Sequence, residues 1–376
     1  MSPAPAKNDD MPEIAVVGST VHVVWIADDV GGACNLCVIW YRRSRDNGKT
    51  WDPRVTIAAA DKYLQTVYYA NRMMAVDNQN VVHIAWTTSP PNNDFDGLVQ
   101  YVRSKDGGTT WDPVKTLYDV NQYPWWTTIS VISTDGVKTS IAAMVTSDRA
   151  AGGWIQLFTT ADGGNTFTST TVFGTATTDS WYLLDSKRAG DRTYVLYSDV
   201  SNLYGHVAKD YVAVVPDSGA KLGPYLVSVP AKDGNHYATI WQGNDYSPKI
   251  AVNADKAYVV FGCQDANNVE RATMRRFTNY GASLDPTVIT SDTDPDGGVN
   301  QDDVSVAANS YYGMMVYHVD TSDIYGGINK IVVKRYSESA QAPVPAAPIF
   351  NKQSYYRGSI YPTIMAGSSQ NAYVMW

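Results

Sequence analysis

The sequence predicts an all-β chain, a β-propeller of four-stranded blades with seven units, the last of them incomplete. Three observations predict it: an eight-residue turn recurring at near-constant spacing, a strand-turn-strand pattern in the same phase, and a composition poor in helix-forming acids. The turn reads SRDNGKTW at Ser44 to Trp51, SKDGGTTW at Ser104 to Trp111 and TADGGNTF at Thr160 to Phe167. Degenerate copies follow at VPDSGAKL, FTNYGASL and YSESAQAP. From Asp46 through Asp106, Asp162, Asp217, Asn279 and Glu338 the steps are 60, 56, 55, 62 and 59 residues.

The first two strands of each unit come from the second pattern. PEIAVVGSTVHVVW begins at Pro12, and NRMMAVDNQNVVHIAW at Asn71 repeats it nearly residue for residue; further copies start near residues 127, 181, 248, 302 and 362. A third strand, CVIWYRRS or LVQYVRS, leads into the turn, and a fourth, PRVTIAA or PVKTLYD, follows it. Residues 1–11 read as a Pro-containing polar tail, and 12–376 as one propeller. Two separate sandwiches would not keep a single phase across the whole length. Six units hold four strands each and the seventh holds two. Six blades, the alternative count, would leave a spare hairpin, whereas seven leave an open edge of the kind natural sheets cover.

Composition agrees and removes several classes of function. Of 376 residues 44% are hydrophobic and 18% charged, enough for packed cores. Only Glu13, Glu270 and Glu338 are Glu, and the other 34 acids are Asp, which favours turns over helix interiors. The net charge is −8 and no basic run occurs, so the footprint of a nucleic-acid partner is missing. No apolar stretch is long enough to span a membrane, and the opening MSPAPAKNDD lacks a signal-peptide core. A mature secreted chain, extracellular or at a cell surface, fits these features. Cys34 and Cys37, spaced CNLC, leave three states open: a short-loop disulfide, half a zinc site or two free thiols; Cys263 stands alone.

The recurring turn resembles the Asp-box (BNR repeat) of sialidase-like propellers. Asp46, Asp106 and Asp162 would accept turn N–H groups, Gly48, Gly108 and Gly164 would take positive φ, and Trp51, Trp111 and Phe167 would plug between sheets. The resemblance implies that these turns lie on one face of the propeller. The loops entering each first strand, and those joining second to third strands, would then form the opposite, ligand-binding face.

Those loops are rich in rings. They hold Tyr69 and Arg72, then Trp125 and Trp126, Trp181, the group His236, Tyr237, Trp241 and Tyr246, and finally Tyr356 and Arg357. Rings that stack on sugar faces, set among amides and charges that bond hydroxyls, point to glycan or a cell-surface ligand. The family's catalysts combine three arginines, a Tyr nucleophile with its Glu, and an Asp acid/base. Here Pro12, Glu13 and Ile14 stand where the family carries Arg-Ile-Pro, while Arg72 holds the matching place one unit on, with Asp94 and Asp96 beyond it. Glycan binding without catalysis is therefore expected. A sialidase-type hydrolase or a polysaccharide lyase is the alternative, and an assembly subunit completed by strand exchange is a second. One metal pattern stands out: Asp292, Asp294, Asp296 and Asp303 in DTDPDGGVNQDD follow a calcium-loop spacing. No organic cofactor motif is present.

Overall fold

Alternating apolar residues and short polar turns fold every repeat into an antiparallel meander. The computed structural model describes residues 9–28, 37–58, 63–64, 72–89, 97–119, 123–131, 138–146, 153–175, 181–202, 207–228, 248–264, 270–291, 300–320, 328–353, 363–366 and 371–375. The chain divides into two compact units, residues 1–188 and 189–376.

In the first unit, β1 (Asp9–Val17), β2 (Thr20–Asp28), β3 (Cys37–Ser44) and β4 (Val55–Ala58) form a sheet in that order. The second sheet runs β5 (Tyr63–Leu64), β7 (Val82–Ser89), β8 (Leu98–Ser104) and β9 (Lys115–Asp119), with β6 (Met74–Val76) also on β7. The third runs β10 (Tyr123–Val131), β11 (Thr139–Thr146), β12 (Gly153–Thr160) and β13 (Thr168–Thr175). β14 (Trp181–Ala189) opens the fourth, which continues through β15 (Arg192–Asn202), β16 (Val207–Pro216) and β17 (Leu222–Leu226).

The second unit also holds the fifth sheet, β18 (Lys249–Asn253), β19 (Lys256–Gln264), β20 (Glu270–Thr278) and β21 (Ser283–Leu284), with β22 (Ile289–Thr290) on β20. The sixth is β23 (Asn300–Ala308), β24 (Tyr312–Asp320), β25 (Ile328–Ser337) and β26 (Ala342–Gln353). A hairpin of β27 (Thr363–Ala366) and β28 (Ala372–Met375) is the seventh. Apart from a 3-10 turn at Asn279–Gly281, the described residues contain no helix. None therefore has a helix long and apolar enough to cross a membrane.

Within each unit, described residues of neighbouring blades bury their facing sides against one another. Ile26, Ile39 and Tyr41 of the first sheet pack with Met74, Ile84 and Trp86 of the second. Ala85, Val99 and Tyr101 of the second meet Ile129, Ile141 and Phe158 of the third. In the second unit Tyr258, Val260 and Met274 meet Val304, Met315 and Tyr317, and Met314 and Val316 meet Ile364 of the hairpin. Each fully buried Val, Ile, Met or Phe among them contributes about 1.5–3 kcal/mol.

The eight-residue turns lock these faces together. Asp46 accepts from the Thr50 N–H at 2.8 Å, the Thr50 hydroxyl at 2.6 Å and the Ser44 hydroxyl at 2.7 Å. Asp106 repeats this with Thr110 and Ser104, and Asp162 with Thr166 and Thr160. The following glycine takes φ +83° at Gly48 and +89° at Gly108 and Gly164, a region that only glycine enters freely. In the two later turns a ring from the preceding blade lies against that glycine. Tyr41 sits against Gly108 with Trp111 edge-on at 4.9 Å, and Tyr101 against Gly164 with Phe167 at 5.0 Å. An arginine spans the same gap: Arg103 pairs with Asp112 at 2.6 Å in its own blade and donates to Asn165 Oδ1 at 2.6 Å in the next.

Candidate functional site

The hairpins between first and second strands and the eight-residue turns lie at one end of every blade. The opposite end gathers the starts of first strands, the ends of second strands and the starts of third strands. Within the first unit Arg72 lies at that end, Glu13 and Asp185 stand midway along their first strands, and Lys187 follows Asp185 toward the β14–β15 hairpin. β1 positions Glu13 opposite Val24, and Arg72 lies just ahead of β6, where its carbonyl accepts from the Ile129 N–H at 3.1 Å.

Glu13 is half-buried and its carboxylate accepts the Met73 and Met74 N–H groups, the latter at 3.0 Å. A side chain on one inner strand thus satisfies the backbone that leads into the next. Burial of the carboxyl pushes its pKa up to about 7; the two N–H donors and the charge of Arg72 pull it down, and Asp185 adds a smaller upward push. Asp185 is itself buried, accepts the Ser186 N–H at 2.9 Å and pairs with Lys187 at 3.4 Å. Glu13 thus feels one arginine and a second acid, and that acid carries its own lysine, where an acid-binding site would need bases in excess. This role of Glu13 was missed in the sequence, because its partners lie 60 and 61 residues away.

One hydrogen-bonded Tyr and Glu pair occurs among the described residues, Tyr258 with Glu338. It is not set up for nucleophilic attack. Tyr258 is fully buried, and burial first, then the Glu338 carboxylate, hold its hydroxyl far above the usual phenol range. Glu338 also binds Arg276 at 3.0 Å and Lys256 at 3.6 Å, at the turn end of the blade. His22 and His83 are structural in the same way. Both are fully buried, and their Nδ1 atoms pair with the hydroxyls of Tyr41 at 2.6 Å and Tyr101 at 2.7 Å.

Of the ring candidates, Trp125 and Trp126 fall in β10, beside a bulge between Pro124 and Trp126, and Trp181 opens β14. Their side chains lie outside the described residues, as do Tyr69, His236, Tyr237, Trp241, Tyr246, Tyr356 and Arg357 altogether. The same holds for Asp94 and Asp96, for Asp292, Asp294 and Asp296, and for Cys34. Asp303 stands in β23 and Cys37 opens β3, with side chains likewise outside.

No protein family's sequence profile matches the chain, and no curated protein matches it in sequence. Solved structures do match in fold. An ulvan lyase described as a new polysaccharide lyase family has a TM-score of 0.52 at 11% identity, over 94% of this chain and 84% of that one. A Hadza microbial sialidase gives 0.47 at 12% identity, over 91% and 66%, and the NanB sialidase of Streptococcus pneumoniae 0.45 at 13%, over 96% and 63%. The chain thus spans slightly less than two thirds of either sialidase. Seven antiparallel sheets among the described residues and the likeness to the lyase define the fold: this is a β-propeller.

Proposed function

We propose that this propeller is a secreted, non-catalytic module that binds glycan at the end of the blades opposite the eight-residue turns, which we take as Asp-boxes. One observation carries it: on the first strands Glu13 offsets Arg72 and Asp185 pairs with Lys187, where an acid-sugar hydrolase would need converging arginines. The placement of Tyr258 and Glu338 at the turn end supports the same conclusion. The neighbours' own names, sialidase and polysaccharide lyase, favour a carbohydrate ligand. Tyr69, Trp125, Trp126, Trp181, Trp241 and Tyr356 would supply the stacking rings. Calcium held by the Asp292 to Asp303 loop belongs to the same proposal, and a fall in melting temperature with chelator would support it.

A glycan array together with sialidase and lyase assays on the purified chain tests the function. Binding without turnover is expected; turnover of any glycan by the pure protein overturns it. A role in assembly is favoured by separate observations. Ile14 and Val16 are 62% and 60% exposed, although the matching Met74 is buried against the preceding blade, and Met365, Tyr373 and Met375 of the last hairpin are 52–61% exposed. Light scattering on native protein decides: oligomers support assembly, and a monomer rejects it.

A further inference from the structure

The first of the eight-residue turns carries a chemistry that the next two lack. Its fourth position is Asn47, where SKDGGTTW and TADGGNTF have Gly107 and Gly163, and Asn47–Gly48 is the one Asn-Gly pair in the sequence. Asn47 takes φ +59°, beside +67° at Gly107 and +68° at Gly163, so an asparagine occupies a left-handed position that glycine fills elsewhere. Its side chain is exposed to water.

An asparagine carboxamide carbon is open to attack by the backbone nitrogen that follows it, and a glycine nitrogen is the least hindered because no Cβ stands beside it. Here the Gly48 nitrogen would bond to Asn47 Cγ and lose its proton to solvent, while the bond from Cγ to the carboxamide nitrogen breaks and ammonia leaves. Water then opens the five-membered imide. Opening at Cγ gives aspartate, and opening at the main-chain carbonyl gives isoaspartate; loss of ammonia and gain of water add about 1 Da in either case.

The folded turn holds the attacking nitrogen away. The Gly48 N–H donates to Ser44 Oγ at 2.8 Å, and the Ser44 hydroxyl, 0% exposed, donates in turn to Asp46 at 2.7 Å. The next peptide is held as well, since Trp51 Nε1 donates to the Gly48 carbonyl at 3.0 Å. The Asn47 N–H donates to the Ser19 carbonyl at 2.9 Å, which ties the turn to the neighbouring hairpin. Ring closure needs the Gly48 nitrogen to turn toward Asn47 Cγ, and that motion breaks its bond to Ser44.

We propose that Asn47 is a site of spontaneous deamidation, gated by Ser44: the imide forms only when the Gly48 N–H is released from Ser44 Oγ. The modification therefore accumulates with the time that this turn spends open. Isoaspartate lengthens the main chain by one methylene inside the ring of bonds that joins Asp46 to Thr50, and both products set a new carboxylate beside Asp46. The opening becomes irreversible, and the modified protein is expected to melt below the unmodified one. This inference is independent of the glycan reading.

The test incubates the full chain in mildly alkaline buffer, with peptide mass mapping that separates aspartate from isoaspartate. Wild type, Ser44→Ala and wild type denatured in urea are compared. Gain of mass at Asn47 is expected to be slowest in the native wild type and fastest in the denatured chain. S44A is expected to exceed the native wild type by about two- to tenfold, the factor that one lost hydrogen bond sets on a local opening. No gain at Asn47 in the denatured chain overturns the site, and equal rates in native and denatured wild type overturn the gate. So does an S44A rate no higher than the wild type's. Amide exchange of Gly48 in the wild type gives a check that does not depend on the variant folding. Deamidation and Gly48 exchange are expected to rise in proportion as urea is added below the unfolding transition, and deamidation that stays constant while exchange rises overturns the proposal.

Discussion

Tyr101 of the second blade lies against the backbone of Gly164 in the third, so closely that a Cβ built on Gly164 falls 2.5 Å from the Tyr101 hydroxyl oxygen. Gly164→Ala meets both this ring and the strain of φ +89°. A loss of about 2–4 kcal/mol is expected. Gly18, at φ +57° with nothing within 4 Å of a built Cβ, meets strain alone, so Gly18→Ala loses about 1 kcal/mol. Denaturant melts of the two variants measure the difference, and equal losses would show that the ring contact is unimportant.

The turn acids predict a step in acid stability. Hydrogen bonds from the Thr50 hydroxyl and N–H, and from Ser44, hold Asp46 down at about 2. Asp106 and Asp162 lie lower still; at Asp106 burial pushes upward but is outweighed by Thr110 and Ser104. A carboxyl depressed on folding contributes stability above its unfolded pKa, near 4, and loses it as pH falls through the folded value. Thr110→Val removes one donor to Asp106 and keeps the shape. Its acid-unfolding midpoint, followed by Trp fluorescence, is expected at a higher pH than the wild type's.

Glu13 predicts the opposite slope. Its carboxyl is raised on folding, so the stability its neutral form contributes is full below about pH 4.5 and is lost as pH rises through about 7. Glu13→Gln should therefore gain on the wild type between pH 5 and pH 8. His22 and His83 are pushed down by burial and slope the other way in both proteins, so the quantity to read is the difference in melting temperature. Glu13→Ala, which leaves two N–H groups without an acceptor, is expected to lose about 1–3 kcal/mol at every pH.

The pair of Tyr258 and Glu338 separates structure from catalysis. Glu338→Gln should lower the melting temperature, because Arg276 and Lys256 lose their shared anion, and leave glycan binding unchanged. A variant with native stability that has lost a glycan-directed activity would reverse the assignment of this pair.

Much of the fold was legible in the sequence because each blade repeats its strand period and its turn chemistry locally. Asp46, Asp106 and Asp162 fold their turns with partners two to four residues away, and such short-range patterns show in a single sequence. Degenerate turns were harder: where Asn279 replaces Asp, positive φ at Asn279, Tyr280 and Gly281 does the turning. The candidate site was less legible. Glu13 meets Met73 and Met74 across 60 and 61 residues, so the relation has no local signature. The loop rings could be counted but not arranged, since no periodic pattern fixes where such loops run.

The contact between Tyr101 and Gly164 has a counterpart in Tyr41 and Gly108, each joining a position in one repeat to a position in the next. Two halves of one contact are therefore written about one period apart. A substitution that enlarges the glycine meets a ring encoded some sixty residues earlier, so adjacent repeats constrain one another as partners. Grafting a single repeat from a related protein would break this agreement at both of its borders, while grafting a run of repeats would break it only at the two ends of the run.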